Sequence, residues 1–223
     1  MGKTSLALSM VMIHGVKAEH RGEVALFSSD SREMLNLKLL SGYTRIGLKR
    51  ICQGPPEITK DELGQLDEAA PLMHGFSSDS IFLQDIDSLR RALELKILDS
   101  LDMLKAVVID SPEDMRDFST RTAHELKRLA VETNVCIIVT LNCDENIENR
   151  PNKRPRLKDV REEYARAADA ILFLYRDEVY NLDTEDKGIA EIIIAKNRQG
   201  EKDTVRVAYL GEYSSFCNLA DEG

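Results

Sequence analysis

Residues 1–10, MGKTSLALSM, combine the second half of a phosphate-binding loop with the start of an apolar-faced helix. Gly2, Lys3 and Thr4 match the end of the GxxxxGK[ST] motif, in which the lysine binds the outer phosphates and the hydroxyl binds magnesium. Residues 5–16, SLALSMVMIHGV, continue as the helix whose first amides would face a phosphate. The strand and the first glycine of the motif do not stand before Gly2, and a lone GKT triplet also suits the start of a surface helix.

The composition predicts one globular domain over residues 1–223. Of these 223 residues, 43% are hydrophobic and 31% are charged, which is enough to build a substantial core. The formal net charge of -9 argues against a surface that binds nucleic acid throughout, so any DNA contact must be local. No apolar run approaches membrane-spanning length and no secretory signal opens the chain, so a cytoplasmic protein without a membrane partner is expected. The four cysteines form no CxxC pair, and no metal-ligand spacing is present.

Short β-rich apolar runs alternate with helical patterns along most of the chain. The runs are EVALFSS (23–29), SIFLQD (80–85), AVVID (106–110) and VCIIVTL (135–141), and the helical patterns that follow them span 32–43, 87–104, 119–134 and 158–170. This order predicts an α/β fold with a mainly parallel central sheet and helices on both faces. After AILFLY (170–175), closely spaced turn signals up to residue 219 predict a C-terminal antiparallel extension of the same sheet.

Polar residues follow three of the predicted strands, and ligands of such sheets bind at the carboxyl ends of strands. Asp110 ends AVVID, where its carboxylate could hold a magnesium ion or cap the helix after Pro112. Asp30 follows EVALFSS, where it could orient a water for attack on a terminal phosphate or cap the next helix. Asn142 follows VCIIVTL, where its amide could sense the terminal phosphate or form a turn.

A pair of cations lies late in the chain, in AKNRQG (195–200). Lys196 and Arg198 point to the same face of a predicted strand because side chains alternate with a period of two. Such a pair could reach a phosphate in a neighbouring subunit in the manner of an arginine finger. The alternative is a solvated edge strand that is protected by positive charge.

A second group of basic side chains lies in the loop NKRPRLKD (152–159) of an otherwise acidic chain. Its members are Lys153, Arg154, Arg156 and Lys158. Such a group could contact a phosphate backbone, and that binding would weaken as salt is added. The alternative is a basic loop that is only solvated.

Several strings taken in order resemble the RecA-fold C-terminal ATPase domain of DnaB-type replicative DNA helicases. They are GKTSLALSM, VALFS, AVVID, LKRLAVETNV, NKRPRLKDVRE, ADAILFLYRDEVY and GIAEIIIAKNRQG. The resemblance implies a RecA-like P-loop NTPase core that forms a hexameric ring, hydrolyses ATP with Mg²⁺ between subunits and translocates along single-stranded DNA. It also implies a helicase loader or a primase as a partner. Met1 would then be an internal residue of a longer protein, whose first strand, first half of the P-loop and N-terminal domain are missing from residues 1–223.

The resemblance assigns roles to individual residues. Lys3 would bind the outer phosphates and Thr4 the magnesium ion, with Gly2 and Ser5 beside them in the nucleotide site. Asp110 would bind the same ion. Lys196 and Arg198 match the cations that act on a neighbouring subunit's nucleotide. Arg161 and Glu162 match the start of a loop that contacts DNA, together with the basic group at 152–159.

Two residues depart from the family pattern by one methylene. Asp30 stands where the family usually has glutamate, and Asn142 stands where it usually has glutamine. Because an error of about 1 Å in positioning can cost on the order of a hundredfold in rate, both departures bear on hydrolysis. The DNA-contacting loops are also shorter than usual. The sequence therefore leaves a regulatory helicase-like ATPase or pseudo-ATPase open as a second hypothesis, and another RecA-superfamily ATPase as a third.

Overall fold

The computed structural model describes residues 2–16, 23–78, 104–114 and 122–219, together with residues 87, 90, 91, 94 and 95. The α-helices within these residues are α1 (Lys3–Val16), α2 (Arg32–Thr44), α3 (Leu48–Gln53), α4 (Lys60–Ala69), α5 (Thr122–Thr133) and α6 (Glu162–Ala167). The strands are β1 (Glu23–Phe27), β2 (Phe76–Ser78), β3 (Leu104–Asp110), β4 (Cys136–Thr140), β5 (Ala170–Tyr175), β6 (Ile189–Asn197), β7 (Thr204–Leu210) and β8 (Ser215–Asn218). In the described part of the chain, no helix has the length and apolar character needed to cross a membrane.

The first four strands form a parallel sheet in the order β2-β1-β3-β4. Val24 of β1 lies opposite Ala106 of β3, which lies opposite Cys136 of β4, so the strands end at the same edge. The strand predicted at 80–85 lies outside the described residues, as does most of the helix predicted at 87–104. The strand that pairs with β1 on its outer side is the shorter β2.

Helices cover both faces of the parallel sheet because successive strand residues point to opposite sides. On one face, Leu26 of β1 packs with Val11 of α1 and Leu39 of α2. On the other face, Phe27 packs with Leu126 of α5. Each of these five side chains is at most 4% exposed. The alternation of apolar residues within single strands thus confirms the predicted α/β fold with helices on both faces.

The last four strands form an antiparallel sheet in the order β5-β6-β7-β8. The antiparallel arrangement is confirmed, but these strands do not extend the parallel sheet: among the described residues, no ladder joins β4 to β5. Helix α6 and the turns Glu145–Asn149 and Leu157–Asp159 lie along the chain between β4 and β5, and β5 pairs with β6. The prediction of one continuous sheet was therefore wrong at this junction.

Helix α1 packs against both sheets. Its residue Leu6 joins the core of the antiparallel sheet around Phe216, while Ala7 joins the core of the parallel sheet. The Ser9 hydroxyl accepts a hydrogen bond of 3.2 Å from the backbone N–H of Phe216. Gly2 precedes the helix with φ of +85°, and a Cβ there would lie 3.3 Å from Phe216. The start of α1 is thus fixed between the two sheets, and only glycine fits there without strain.

Helices α3 and α4, which the sequence patterns did not single out, are held together by one carboxylate. Glu62 and Thr59 form a capping box at the start of α4. Both oxygens of the Glu62 carboxylate also accept hydrogen bonds from Arg50 of α3, at 2.7 and 2.6 Å. The backbone hydrogen bond from Thr59, followed by Arg50, lowers the pKa of Glu62 to about 2. These contacts are local in sequence, and they order a segment remote from the strand ends that carry the site.

Candidate nucleotide-binding site

Asp110, the last residue of β3, accepts hydrogen bonds from three hydroxyl groups. Its Oδ2 accepts from Thr4 Oγ1 at 2.7 Å and from Ser28 Oγ at 3.1 Å, and its Oδ1 accepts from Thr140 Oγ1. The three donors come from the start of α1, the residue after β1 and the end of β4. They meet because the carboxyl ends of parallel strands lie at one edge of a sheet. Asp110 is only 8% exposed, so the carboxylate depends on these donors for its polar contacts.

Ser28 and Thr140 are site residues that the sequence reasoning missed. Each stands at the carboxyl end of a buried strand, which is the same signal that singled out Asp110. The hydroxyl of Ser28 also accepts a hydrogen bond of 3.1 Å from the backbone N–H of Asp30. A rule that admitted hydroxyl side chains at strand ends would have found both residues.

The oxygen atoms of Thr4 and Asp110 suit a magnesium ion. Magnesium prefers oxygen ligands, and it is usually held by one or two carboxylates together with substrate phosphates and water. The described residues contain no group of three histidine, cysteine or acidic side chains that could hold a metal by themselves. The side chains at this edge therefore fit a metal that arrives with a phosphorylated ligand better than a permanently bound ion.

Lys3 and Asn142 meet although 139 positions separate them in sequence. The Lys3 ammonium donates a hydrogen bond of 2.7 Å to Oδ1 of Asn142, beyond the end of β4. The backbone N–H of Asn142 donates to Oε1 of Glu113, which follows β3. The predicted phosphate-binding lysine and the predicted phosphate sensor are thus direct neighbours, and an acid that the sequence reasoning did not consider contacts the second of them.

Asp30 does not cap the helix that follows it. The N-cap of α2 is Ser31, whose hydroxyl accepts a hydrogen bond of 3.2 Å from the N–H of Met34. The Asp30 carboxylate instead forms a salt bridge with Lys38, eight residues later in α2. The capping alternative considered for Asp30 was therefore wrong, and a lysine of its own subunit binds the carboxylate.

Lys196 and Arg198 lie at the carboxyl end of α6. Lys196 Nζ donates hydrogen bonds to the carbonyl oxygens of Ala165 at 2.7 Å and Arg166 at 3.2 Å. Arg198 donates to Asp169 Oδ1 at 3.0 Å and to the Arg166 carbonyl at 3.1 Å. Burial, followed by the charge of Arg198, lowers the pKa of Lys196. The last carbonyl groups of a helix carry partial negative charge, which favours cations at this position.

The pair does not belong to an edge strand. Strand β6 pairs with β5 on one side and with β7 on the other, and Lys196 lies opposite Ile171 of β5. The side chain of Arg198 is 50% exposed. The edge-strand alternative does not fit β6 as a whole, but the ladder with β7 ends at Ile193 and the cations lie beyond it.

The basic loop at 152–159 divides into engaged and exposed side chains. Arg154 donates two hydrogen bonds to Glu191, at 2.8 and 2.6 Å, and its guanidinium lies 4.3 Å from the ring centroid of Tyr175. Lys153 donates to the carbonyl of Glu148. The side chains of Arg156 and Lys158 are exposed. Arg154 thus anchors the loop to the antiparallel sheet, whereas Arg156 and Lys158 face solvent.

Residues 161 and 162 begin helix α6. Arg161 forms an ion pair of 3.0 Å with Glu163, and Glu162 pairs with Arg166 one turn later. Both Arg161 and Glu162 are exposed. The residues predicted to contact DNA therefore stand at the start of this six-residue helix. The cations predicted to face a neighbouring subunit bind carbonyl groups at its other end.

A parallel sheet whose acidic strand end meets a glycine-lysine-threonine helix start defines a nucleotide-binding domain of the P-loop class. Within that class, the model of the family described as "DnaB-like helicase C terminal domain" matches residues 1–218, and the chain belongs to this family. The family relationship expected from the sequence is thereby confirmed. It implies the use of a nucleotide.

Individual relatives agree with the family. The chain is 33% identical to the replicative DNA helicase DnaB of Geobacillus stearothermophilus and 30% identical to the replicative DNA helicase DnaC of Bacillus subtilis, with 98% of the chain covered in both cases. It spans about half the length of these relatives, 50% of each.

Two solved structures share the fold. One, described as an ATPase domain, has a TM-score of 0.89 and 26% identity, over 98% of this chain and 81% of that one. The other is a DnaB-like replicative helicase, described with its interactions with primase, and has a TM-score of 0.89 and 26% identity over 99% of this chain and 55% of that one. The predicted RecA-like fold is confirmed.

Proposed function

We propose that this domain binds ATP with Mg²⁺, hydrolyses it at contacts between copies of the chain and couples hydrolysis to movement along single-stranded DNA. The observation that carries the proposal is the convergence of Lys3, Thr4, Asp110 and Asn142 at one sheet edge. These residues are a phosphate-binding cation, a hydroxyl, a carboxylate and an amide, which are the groups that position a triphosphate in P-loop enzymes. The names of the relatives, which are replicative DNA helicases, support the choice of reaction.

Each residue at this edge has a task in the proposed reaction. Lys3 moves from the oxygen of Asn142 to the outer phosphates, which frees the Asn142 amide for the terminal phosphate. Gly2 and Ser5 lie beside Lys3 at the start of α1, where backbone N–H groups favour an anion. Thr4 and Asp110 would hold the magnesium ion, which would neutralise the charge that develops on the phosphates. Asp30 is the family's candidate for orienting the attacking water, although Lys38 binds its carboxylate.

The proposed active unit contains more than one copy of the chain. Lys196 and Arg198 are held by carbonyl groups at the end of α6, and half of the Arg198 side chain faces outward. An exposed guanidinium of this kind can stabilise the charge of a transition state in a neighbouring subunit. A closed hexameric ring places one such pair at every nucleotide site, because each subunit contributes the same surface in turn.

Single-stranded DNA is the proposed nucleic-acid partner. With a net charge of -9 the contact must be local, and the exposed part of the basic loop, with Arg156 and Lys158, supplies a local positive surface. Arg161 and Glu162 are exposed at the start of α6, where the resemblance places a DNA contact, although the carboxylate of Glu162 adds no positive charge. A primase or a helicase loader is proposed as a protein partner, because one structural neighbour is described with its interactions with primase.

Nucleotide binding by the 223-residue chain tests the first step of the proposal. We expect Lys3→Ala to weaken binding of a fluorescent ATP analogue with magnesium roughly 10- to 100-fold, since a hydrogen bond to a charged group contributes about 1.5–3 kcal/mol. Lys60→Ala, which removes an exposed lysine of α4, is the matched control and should bind as the wild type does. Equal affinities for the wild type and the Lys3 variant would contradict a nucleotide site at this edge.

Stimulation by DNA tests the coupling. We expect single-stranded DNA to accelerate ATP hydrolysis by the assembled protein. A protein that binds ATP but hydrolyses it no faster with DNA would contradict the helicase role and would favour the regulatory hypothesis instead.

The two kinds of basic residue in the loop should respond differently to substitution. Lys158→Ala should weaken binding to DNA of any sequence and should lower the slope of log affinity against log salt by about 1, because one phosphate contact is lost. Arg154→Ala should mainly lower the melting temperature, because it breaks the bidentate pair with Glu191 and the contact with Tyr175. Fluorescence anisotropy with oligonucleotides at several salt concentrations, together with thermal unfolding, measures both effects. A change in salt slope for Arg154→Ala at an unchanged melting temperature would reverse this assignment.

A further inference from the structure

A strained turn follows β3, immediately after Asp110. Ser111 has φ of 53°, in the left-handed region that residues other than glycine seldom adopt. Its backbone N–H donates to the carbonyl oxygen of Thr140 at 3.3 Å and to Thr140 Oγ1 at 3.1 Å. The same hydroxyl donates to Asp110. Because backbone strain of this kind persists only where the surroundings impose it, and because such strain clusters at active sites, the turn is a candidate functional element.

The strained turn directs Glu113 toward the end of β4. One carboxylate oxygen of Glu113, Oε1, accepts a hydrogen bond from the backbone N–H of Asn142. The other, Oε2, is buried and has no hydrogen-bond partner among the described residues. A buried carboxylate oxygen without a donor is costly, so such an atom in a native protein calls for a partner beyond the described residues.

Glu113 lies beside the groups proposed to hold the terminal phosphates. Asn142 contacts Glu113 through its backbone and Lys3 through its side chain, so the acid and the phosphate-binding lysine bind opposite parts of one residue. A water molecule that enters with the nucleotide would be a suitable donor to Oε2. Buried waters of this kind bind to otherwise unsatisfied polar atoms.

Asp110 and Asp30, the two acids that the sequence singled out at this edge, are already engaged. Both oxygens of Asp110 accept hydrogen bonds from hydroxyl groups. The carboxylate of Asp30, the family's candidate, forms a salt bridge with Lys38 and has the shorter side chain. Among these three, Glu113 is the acid with a buried oxygen that has no partner in the described part of the chain.

We propose that Glu113, and not Asp30, orients the water that attacks the terminal phosphate of ATP. The inference rests on the proposed function and names a residue for it. In this step the water oxygen forms a bond to the γ-phosphorus, and a water proton passes to Oε2 of Glu113. The bond between the γ-phosphorus and the bridging oxygen breaks, and its electron pair leaves with ADP. The proton then returns from Glu113 to solvent, so the acid is regenerated.

Glu113→Gln separates this role from a purely structural one. The glutamine oxygen still accepts the hydrogen bond from the Asn142 backbone, so the local fold is retained, but the amide cannot accept a proton. We expect nucleotide affinity within about threefold of the wild type and a fall in kcat of about 10²- to 10⁴-fold, which is the usual contribution of a general base. Asp30→Asn should lower kcat by less than about tenfold, since Glu113 remains in place. Glu145→Gln, at an exposed glutamate after β4, should leave kcat and KM unchanged.

The results distinguish the role of Glu113 from the proposed function itself. An active wild type together with an equally active Glu113→Gln variant would overturn only the assignment of Glu113. A wild-type protein that binds ATP and never hydrolyses it would overturn the proposed function and this assignment with it. If Glu113→Gln fails to fold, Glu113→Asp keeps the charge and withdraws it by one methylene. Its kcat should fall on the order of a hundredfold, and a wild-type kcat would overturn the assignment.

Discussion

Replacing Arg198 with alanine is expected to lower ATP hydrolysis by the assembled protein on the order of 10³-fold, while nucleotide binding to isolated chains changes by less than about twofold. The reason is that the Arg198 guanidinium donates to the carbonyl group of Arg166 and to Asp169, and neither hydrogen bond involves Lys3 or Asp110 of its own chain. The proposed function assigns it to a phosphate in another subunit. Removing it therefore leaves a chain's own nucleotide site complete.

Arg128→Ala is the matched control for this substitution. Arg128 is an exposed arginine of α5 whose ion pair with Glu132 spans one helical turn, so its loss removes the same charge from a different surface. Its hydrolysis rate should match that of the wild type, because exposed pairs of this type contribute little. A large loss in both variants would indicate a general effect of charge on assembly.

Mixed assemblies test whether the cation acts in the neighbouring subunit. Neither Arg198→Ala nor Lys3→Ala chains should hydrolyse ATP alone. When the two are mixed, some interfaces combine an intact Lys3 from one chain with an intact Arg198 from the next, and a fraction of the activity should return. If no mixture recovers activity while both variants still assemble, the cation acts within its own chain.

Replacing Asp110 with asparagine is expected to abolish magnesium-dependent hydrolysis, with a loss of at least about a hundredfold. The carboxylate is the one acidic group among the described residues that contacts the Thr4 hydroxyl. An amide has one oxygen and one NH₂ group, whereas the site offers hydroxyl donors to both positions. The substitution thus removes a metal ligand and places the NH₂ group of the amide opposite a hydroxyl group that is also a donor.

The same substitution should also destabilise the nucleotide-free protein. A buried donor without an acceptor costs about 1–3 kcal/mol, so the free energy of unfolding should fall by that amount. Denaturant unfolding without nucleotide measures the fall in the free energy of unfolding. Nucleotide binding with and without magnesium measures the loss of the metal ligand. Ser28→Ala is the control, since it removes one donor and leaves the carboxylate in place. A variant Asp110→Asn protein that retained magnesium-dependent hydrolysis would exclude this residue as a ligand of the ion.

The alternation of short strands and helices was sufficient to predict the parallel sheet, because each strand buries both faces and each helix covers one of them. The antiparallel part was predicted from its closely spaced turns. The separation of the two sheets was not predicted, because strand neighbours across α6 depend on how the intervening chain packs. Residues 80–85 and most of 87–104 lie outside the described residues, so their predicted elements stay predictions.

Residue types at strand ends singled out Asp110 and Asn142, and a three-residue motif singled out Lys3. The structure brings Lys3 to Asn142 and Thr4 to Asp110, and the roles of these residues stay predictions. The partners of these residues were not predictable. Lys38 reaches Asp30 across 8 positions, Glu191 reaches Arg154 across 37 and Glu113 reaches Asn142 across 29. A spacing rule cannot identify such pairs, because the positions that meet are set by packing and not by the distance along the chain.

The sequence by itself determined the class of fold and the family, since apolar periodicity and short motifs are properties of neighbouring residues. The tertiary structure alone decided which charged groups are already engaged. Lys38 binds Asp30, Glu191 binds Arg154, and the carboxyl end of α6 binds Lys196 and Arg198. Hydrogen bonds and salt bridges form only within a few ångströms in space, so only the folded chain brings these partners within range of one another.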